Sequence, residues 1–425
     1  MAYLIFKRIS PVIAGPVAAL VVILLSSPDS ATSVVEAITK TYIGGVAGFF
    51  ISYFLIFLLG NIFGNIYQIS GAASKIGQEI SRVFGAKRVM FCMIACMLSS
   101  AVLSYGGINS FVIIFAVYPI ALKLFEEADI PDYMLPGIVC GGMWTFAMTG
   151  PFTPQVPNFI SMENLGTTAA AGLVPGMIGT GAMAVSIVIY MTWEANRAKK
   201  RGEHFAFPQH VQKVEEDSPK PLFVISMIPL LFVIIMFNVF PQITIVVWLL
   251  FGVILAVILF WKYLPKGKLM ETVNNAAASA VTININTAAI VGFGSVAKTS
   301  LFYAYAVQVL EASTANPYIV AAVGANVFAG ILGSASGGLA LMYSSLKDTF
   351  LAYGAQGYNL GYIHRLIAFS AGSLDTTPWN GSIVSVFAIT GTTHVKSFKY
   401  NFITCGIIPL LVTFLLVLPY CMYTG

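Results

Sequence analysis

The stretch "AGSLDTTPWNG", residues 371–381, decides how this chain is read. Apolar runs flank it, "RLIAFS" (365–370) before and "SIVSVFAITG" (382–391) after. Together they are long enough to cross a bilayer, yet the middle holds Asp375, Thr376, Thr377, Pro378 and Asn380. Backbone that leaves helical geometry at membrane depth must line a cavity or be buried in protein. The stretch therefore reads as a break inside a membrane helix, with Pro378 ending one half-helix.

The rest of the chain supports a membrane reading. Of its 425 residues 58% are hydrophobic and 9% charged, with a mean hydropathy of +0.85. A soluble domain carries about 25% charged residues. Runs near the roughly 20 apolar residues of a spanning helix occur at 10–27, 45–66, 89–122, 134–158, 169–193, 221–240, 243–262, 275–293, 317–346, 362–391 and 401–422. The expected fold is an all-α polytopic membrane protein with nine or ten spanning helices and two re-entrant hairpins. The 38 glycines and 20 prolines suit broken and closely packed helices. The net charge of +5 is small and its basic residues cluster in loops, which speaks for membrane orientation and against nucleic-acid binding. The cysteines (Cys92, Cys96, Cys140, Cys405, Cys421) sit in apolar runs and read as small hydrophobes, with no metal-ligand spacing.

The opening stretch has a counterpart, "TGPFTPQVPN" (149–158), and other landmarks recur at an offset of about 225–230 residues. "NIYQISGAASKIG" (65–77) matches "IVGFGSVAKTS" (290–300), and "CMLSSAVLSYGGINSFVIIFAVYP" (96–119) matches "VFAGILGSASGGLALMYSS" (327–345). Matched breaks in two halves are the signature of inverted-repeat transporters, with the substrate site at the repeat interface. The halves are 1–193 and 221–425, joined by the charged linker 194–220. Symmetry calls for one more helix ahead of residue 10. Lys and Arg place the linker end in the cytoplasm, with Lys40, Lys87, Arg88 and Arg365 on the other side.

Candidate site residues follow from the breaks. The small-residue turns at Ser70, Gly71, Ala72 and at Gly294, Ser295, Val296 read as hairpin tips, the first entering from outside and the second from the cytoplasm. The N–H groups of the helix after such a tip suit a carboxylate; packing glycines are the alternative. Tyr105, Gly106, Gly107, Asn109 and Ser110 in one half, and Ser334, Ser336, Gly337 and Gly338 in the other, read as interrupted helices whose hydroxyls and freed backbone hold substrate. Thr153, Gln155 and Asn158 mirror Thr377 and Asn380, as ligand contacts or as helix caps, and Thr376 is a further candidate contact. An intramembrane carboxylate is costly and tends to be functional or paired. Asp375 reads as a proton carrier, or as the cap of the helix beginning near Trp379. Lys75 and Lys298 attract anions or pair with acids such as Glu79. His364 and Arg365 are expected at a membrane interface.

The blocks "NIFGNIYQISGAASKIGQEI", "VLSYGGINSFVIIFAVYPIALKLFEEADIP", "GPFTPQVPNFISMENLGTTAAAGLVPGMIG", "GSASGGLALMYSSL" and "SLDTTPWNGSIVSVFAITGTTHVKSFK" resemble the gluconate-permease family of the ion-transporter superfamily, and within it the D-beta-hydroxybutyrate permease branch. The resemblance implies proton-driven import of small hydroxylated or simple carboxylates across a bacterial cytoplasmic membrane. It also implies a homodimer in which a transport part moves against a scaffold. The family block reads closer to Asp-Thr-Leu-Pro-His-Asn-Gly, so Thr377 and Trp379 are departures. Serine, threonine and asparagine at both breaks also suit a sodium site. A channel would show a continuous polar path. An enzyme would show a base–nucleophile or metal constellation, and a pump a nucleotide loop. The sequence shows none of these, and no cofactor is expected.

Overall fold

The computed structural model describes residues 4, 9–25, 31–84, 88–108, 110–207, 219–240, 242–265, 267–297, 316–378 and 380–425. Asn109, Lys298 and Trp379 lie outside them. Among the described residues the regular structure is entirely helical. The first half contains α1 (Pro11–Leu25), α2 (Ser33–Ile69), α3 (Ala72–Phe84), α4 (Val89–Tyr105), α5 (Ser110–Glu127), α6 (Leu135–Met143), α7 (Phe146–Thr149), α8 (Val156–Leu165) and α9 (Leu173–Lys200). The second contains α10 (Phe223–Val239), α11 (Ile245–Phe260), α12 (Leu269–Ala297), α13 (Pro317–Leu332), α14 (Ala335–Ala355), α15 (Leu360–Leu374), α16 (Gly381–Ile389) and α17 (His394–Thr424).

Outward faces identify the solvent. On α10, Val224, Ile228, Leu231, Ile235 and Val239 form one exposed stripe, while Leu230, Val233 and Phe237 are buried on the other face. A helix apolar on both faces belongs in lipid. Five of the helices are long and apolar enough to cross a membrane by themselves: α2, α9, the α11 segment Ile245–Tyr263, α12 and α17. The chain is a polytopic α-helical membrane protein.

Contacts fix which helix ends lie together. At the linker end, Lys399 of α17 meets Glu194 of α9 at 3.1 Å, Lys199 Nζ donates to the Ala128 carbonyl just past α5, and Tyr67 donates to the Ser226 carbonyl at 2.7 Å. At the opposite end, the Asn359 amide donates to the Tyr318 hydroxyl at 3.0 Å, and the Gly361 carbonyl packs on Gly172 just before α9. Helices α2 and α12 run antiparallel between the two ends, with Asn284 donating to the Phe50 carbonyl and Ser295 packed on Gly45.

The helical hairpins are not where the small-residue turns suggest. Ser70 and Gly71 (φ +72°) turn α2 into α3 at the linker end, beside Lys220. Helix α3 is strongly amphipathic, pairing Lys75 with Glu79 on its polar side. Gly294 and Ser295 lie inside the uninterrupted α12, packed on Leu341 and Gly45. The hairpins are instead the two segments read as interrupted helices. In the first, Ser99 of α4 and Ile120 of α5 both approach Gly77, which two arms of a continuing helix could not do. In the second, Ala329 of α13 lies directly against Gly338 of α14. The chain reverses at Gly107 (φ +81°) and at Gly333 (φ +61°), conformations that suit glycine. Helices α4 and α13, with 17 and 16 residues, are about 25 Å long and fall short of a 30 Å hydrocarbon core.

The α4–α5 hairpin opens toward the linker end and α13–α14 toward the opposite end, the reverse of the expected order. Arg88, which begins α4, therefore lies at the linker end. The polar breaks "TGPFTPQVPN" and "SLDTTPWNG" do interrupt helices that continue across: α6–α7–α8 leaves the linker end, and α15–α16 returns to it, where the Ser397 hydroxyl donates to the Tyr133 carbonyl and pairs with the Thr392 hydroxyl. His364 and Arg365 are not at an interface but fully buried. All five cysteines are buried and free.

Candidate functional site

A cavity of about 480 Å³ lies where the hairpin tips and the broken helices meet. Small-molecule sites occupy about 300–1,000 Å³. Ser110 reaches it from the start of α5, Ser334 and Ser336 from the start of α14, Gln155 from the start of α8, and Asp375, Thr376 and Asn380 from the α15–α16 break. These seven sequence candidates are brought together. Among the described residues Asp375 is the one carboxylate lining the cavity, and no Lys or Arg lines it.

Local chemistry positions each group. Ser334 caps α14 by accepting from the Gly337 amide at 3.2 Å and lies 3.4 Å from the Ser336 hydroxyl. Asn380, rather than Asp375, caps α16: its Oδ1 accepts from the Ser382 amide at 2.8 Å and the Ile383 amide at 3.3 Å. The Asn380 Nδ2 donates to the Asp375 carbonyl at 2.9 Å, which closes the break on itself. The Asp375 carboxyl is left to accept from the Thr376 hydroxyl at 3.4 Å and lies toward the Ala335 amide. It thus faces the N-terminus of α14 across the cavity wall, where an unpaired N–H group favours negative charge. In the other half, Trp144 Nε1 donates to Ser110 Oγ at 2.8 Å, and Gln155 Nε2 to the Ser104 carbonyl at 2.7 Å. Both contacts tie the α4–α5 tip to the α6–α8 break.

Other candidates do packing work around the cavity. Gly106 lies against Leu230, which a Cβ would meet at 2.1 Å, and Gly107, with φ +81°, lies against Pro154. Tyr105 turns its hydroxyl toward Gly150 and Thr180. Thr153 donates to the Ala147 carbonyl at 2.8 Å and Thr377 hydrogen-bonds the Asp375 carbonyl at 3.5 Å. Gly338 allows the arms of the second hairpin to close, Gly337 lies against Ile290 of α12, and Asn158 is engaged by His364 and Arg365. Ser70, Gly71, Ala72, Gly294 and Ser295 do not line the cavity.

Sequence reasoning passed over Ser10, Trp144, Asn286, Thr287, Ser382 and Ser385, which do line it. Ile283, Asn286, Thr287 and Ile290 form one face of α12 at i, i+3, i+4 and i+7. Polar residues at that spacing in "TININTAA" (282–289) are a signal available from the sequence alone. Ser10, at the start of α1, donates to Asn286 Oδ1 at 3.1 Å.

Helices α1, α5, α8, α14 and α16 all begin at this cavity. Their positive N-terminal ends, with many neutral hydroxyl and amide donors, make a site suited to a small anion. His/Cys/Asp/Glu groups able to hold a metal ion are not found among the described residues.

Comparison with known proteins agrees with the class of molecule. No protein-family model matches the chain. It is 29% identical over 437 residues to a Bacillus subtilis protein named "Uncharacterized transporter YxjC", covering 93% of this chain and 91% of that one. A Haemophilus influenzae protein named "Uncharacterized permease" is 28% identical over 167 residues, 39% of this chain and 32% of that one. The crystal structure of the Alcanivorax borkumensis YdaH transporter, described as having an unusual topology, superposes with a TM-score of 0.61. It covers 97% of this chain and 98% of that one at 15% identity, a likeness of fold. Together the relatives and the fold support a multi-pass membrane transporter rather than an enzyme.

Proposed function

We propose that the chain is a secondary active transporter importing a small carboxylate or hydroxycarboxylate, such as 3-hydroxybutyrate, by proton symport, with Asp375 carrying the proton. The observation behind this reading is the convergence of two hairpin tips and two helix breaks on one cavity lined, among the described residues, by a single carboxylate. Helix N-termini and neutral donors take the anion; Asp375 is neutral when loaded, so substrate and proton neutralise one another's charge in the low-dielectric site. The two halves, 1–193 and 221–425, act as inverted repeats, a reading favoured by hairpins that open toward opposite ends. Hairpins and broken helices form the transport part, and α2, α10, α11 and α12 belong to a scaffold that pairs in a homodimer in the bacterial cytoplasmic membrane. The transport part moves past that scaffold as an elevator.

Sodium coupling is the second reading, favoured by the hydroxyls of Ser334, Ser336 and Thr376 beside Asp375. Purified protein in liposomes separates the two. An inward pH gradient without sodium should drive uptake of labelled 3-hydroxybutyrate. Uptake that requires sodium and ignores the gradient would overturn proton symport, and no uptake of any carboxylate would overturn the substrate class. Asp375→Asn should lose gradient-driven accumulation yet keep substrate exchange.

A further inference from the structure

A second cavity, of about 380 Å³, lies at the linker end between the starts of α6 and α17 and the end of α9. Arg197, Arg201, Lys396 and Lys399 line it against the carboxylates of Glu194 and Glu203. Glu194 forms the floor, 1% exposed, with Lys399 at 3.1 Å, Arg201 at 3.7 Å and Arg197 at 3.9 Å from its oxygens. Glu203 pairs with Arg201 at 2.6 Å and accepts from the Tyr133 hydroxyl. The two acids hold the cations in place and leave them in excess.

The flank of α9 leads into this pocket. Val185, Ile189 and Trp193 are 59%, 63% and 55% exposed and stand one helical turn apart. Arg197 is the next residue in the row, its guanidinium 5.2 Å from the Trp193 ring centroid. The opposite face of α9, with Met183, Ile187 and Met191, is buried. An apolar stripe therefore runs up to an aromatic ring at the level where tryptophan marks the membrane–water interface, and ends in a cationic pocket.

We propose that this pocket binds the phosphate headgroup of an anionic phospholipid, whose acyl chains lie along Val185, Ile189 and Trp193. Guanidinium groups match phosphate oxygens in a bidentate fashion, and basic residues at a membrane face attract anionic lipid. A zwitterionic headgroup also offers phosphate, but its ammonium would meet the same excess of cations. The bound lipid would join the end of α9 to the start of α17.

Native mass spectrometry of the full chain in detergent tests this with phosphatidylglycerol, phosphatidylcholine and glycerol 3-phosphate at equal concentration. The bound fraction of phosphatidylglycerol should exceed that of phosphatidylcholine by about tenfold. Lys396→Gln, at an exposed position, and Arg197→Gln/Lys396→Gln should lower that preference stepwise. Trp193→Ala should weaken phosphatidylglycerol retention without creating a preference for phosphatidylcholine. Equal retention of the two lipids, or a preference untouched in the double variant, would overturn the proposal. So would glycerol 3-phosphate binding as tightly as the lipid, since the site would then serve a free phosphate.

Discussion

Arg365 Nη1 and Asn158 Oδ1 lie 3.0 Å apart, both side chains fully buried, joining the helix before one break to the helix after the other. Asn158 Oδ1 also accepts from His364 Nε2 at 3.0 Å, and the His364 Nδ1 faces the Thr167 hydroxyl at 2.7 Å. Since Oδ1 only accepts, the ring carries its proton on Nε2. Arg365 donates further to the carbonyls of Thr149, Ala169 and Ala171. One side chain thus satisfies the loops that close the α6–α8 break.

Removing that guanidinium should be costly. Arg365→Leu strips donors from several buried acceptors, at about 1–3 kcal/mol for each left unpaired. We expect a loss of about 3 kcal/mol or more and a melting midpoint lower by several degrees in detergent. Arg365→Lys, with a compact ammonium in place of the planar fork, should recover only part of it. A leucine variant that melts like the parent would show that the clamp contributes nothing net.

The tight hairpin gives a second prediction. A Cβ on Gly338 would sit 2.5 Å from the Ala329 backbone nitrogen and Cα, with no flexible atom to yield. Gly338→Ala should cost about 1–3 kcal/mol by overpacking and reduce uptake about tenfold or more. Gly181→Ala, in α9 with nothing within 4 Å, serves as control and should stabilise by up to about 1 kcal/mol. Thermal melts and uptake on both variants decide the matter; equal behaviour would remove the hairpin argument.

Asn286 and Thr287 test whether α12 touches the ligand. Thr287→Val keeps the shape and removes the hydroxyl. If the cavity holds substrate against α12, KM for uptake should rise about fivefold to tenfold, the loss of one hydrogen bond, with the melting midpoint nearly unchanged. An unchanged KM would make α12 a wall rather than a contact.

The linker offers a pH prediction. The residues just past α9 dock through Asp129, whose carboxyl is held below the usual carboxylate range, first by the hydrogen bond from His204 and then by the Phe205 amide. A depressed folded-state pKa contributes stability above the ordinary value of about 4, and that contribution is lost as pH falls through the lower folded value. Docking should therefore persist from neutral pH to about 4 and weaken below it. Hydrogen exchange of residues 203–207, corrected for intrinsic rates, reads this directly. Asp129→Asn, which tolerates the left-handed φ of +51° and keeps an acceptor, should abolish the pH dependence. Dependence that survives in that variant would place its origin elsewhere.

The breaks were legible because Asp375, Pro378, Asn380, Pro154 and Gln155 stand against an apolar background that penalises them. What the chain does after a break was not. Whether Gly106–Gly107 interrupts a helix or reverses it depends on Ser99 and Ile120 converging on Gly77, a contact with no local signal. The run "GFGSVA" (292–297) carries the same small residues as a turn, yet in α12 they let α2 and Leu341 approach closely. Charge alone put Arg365 at an interface; its burial depends on carbonyls nearly 200 residues away in sequence. The second hydrogen-bonding face, Asn286 and Thr287, was readable from helical spacing.

Helices α13 and α14 touch backbone to backbone at Ala329 and Gly338, with no side chain between them to compress or rotate. Such a pair has no soft layer along which its arms can part. Close packing stiffens it along its length, and at its root the Tyr318 hydroxyl accepts from the Asn359 amide while rings of Tyr318, Tyr358 and Tyr362 cluster. On the proposed elevator reading, α13 and α14 would therefore travel as one body, and the tyrosine root, far from the cavity, is where bending of that body is resisted.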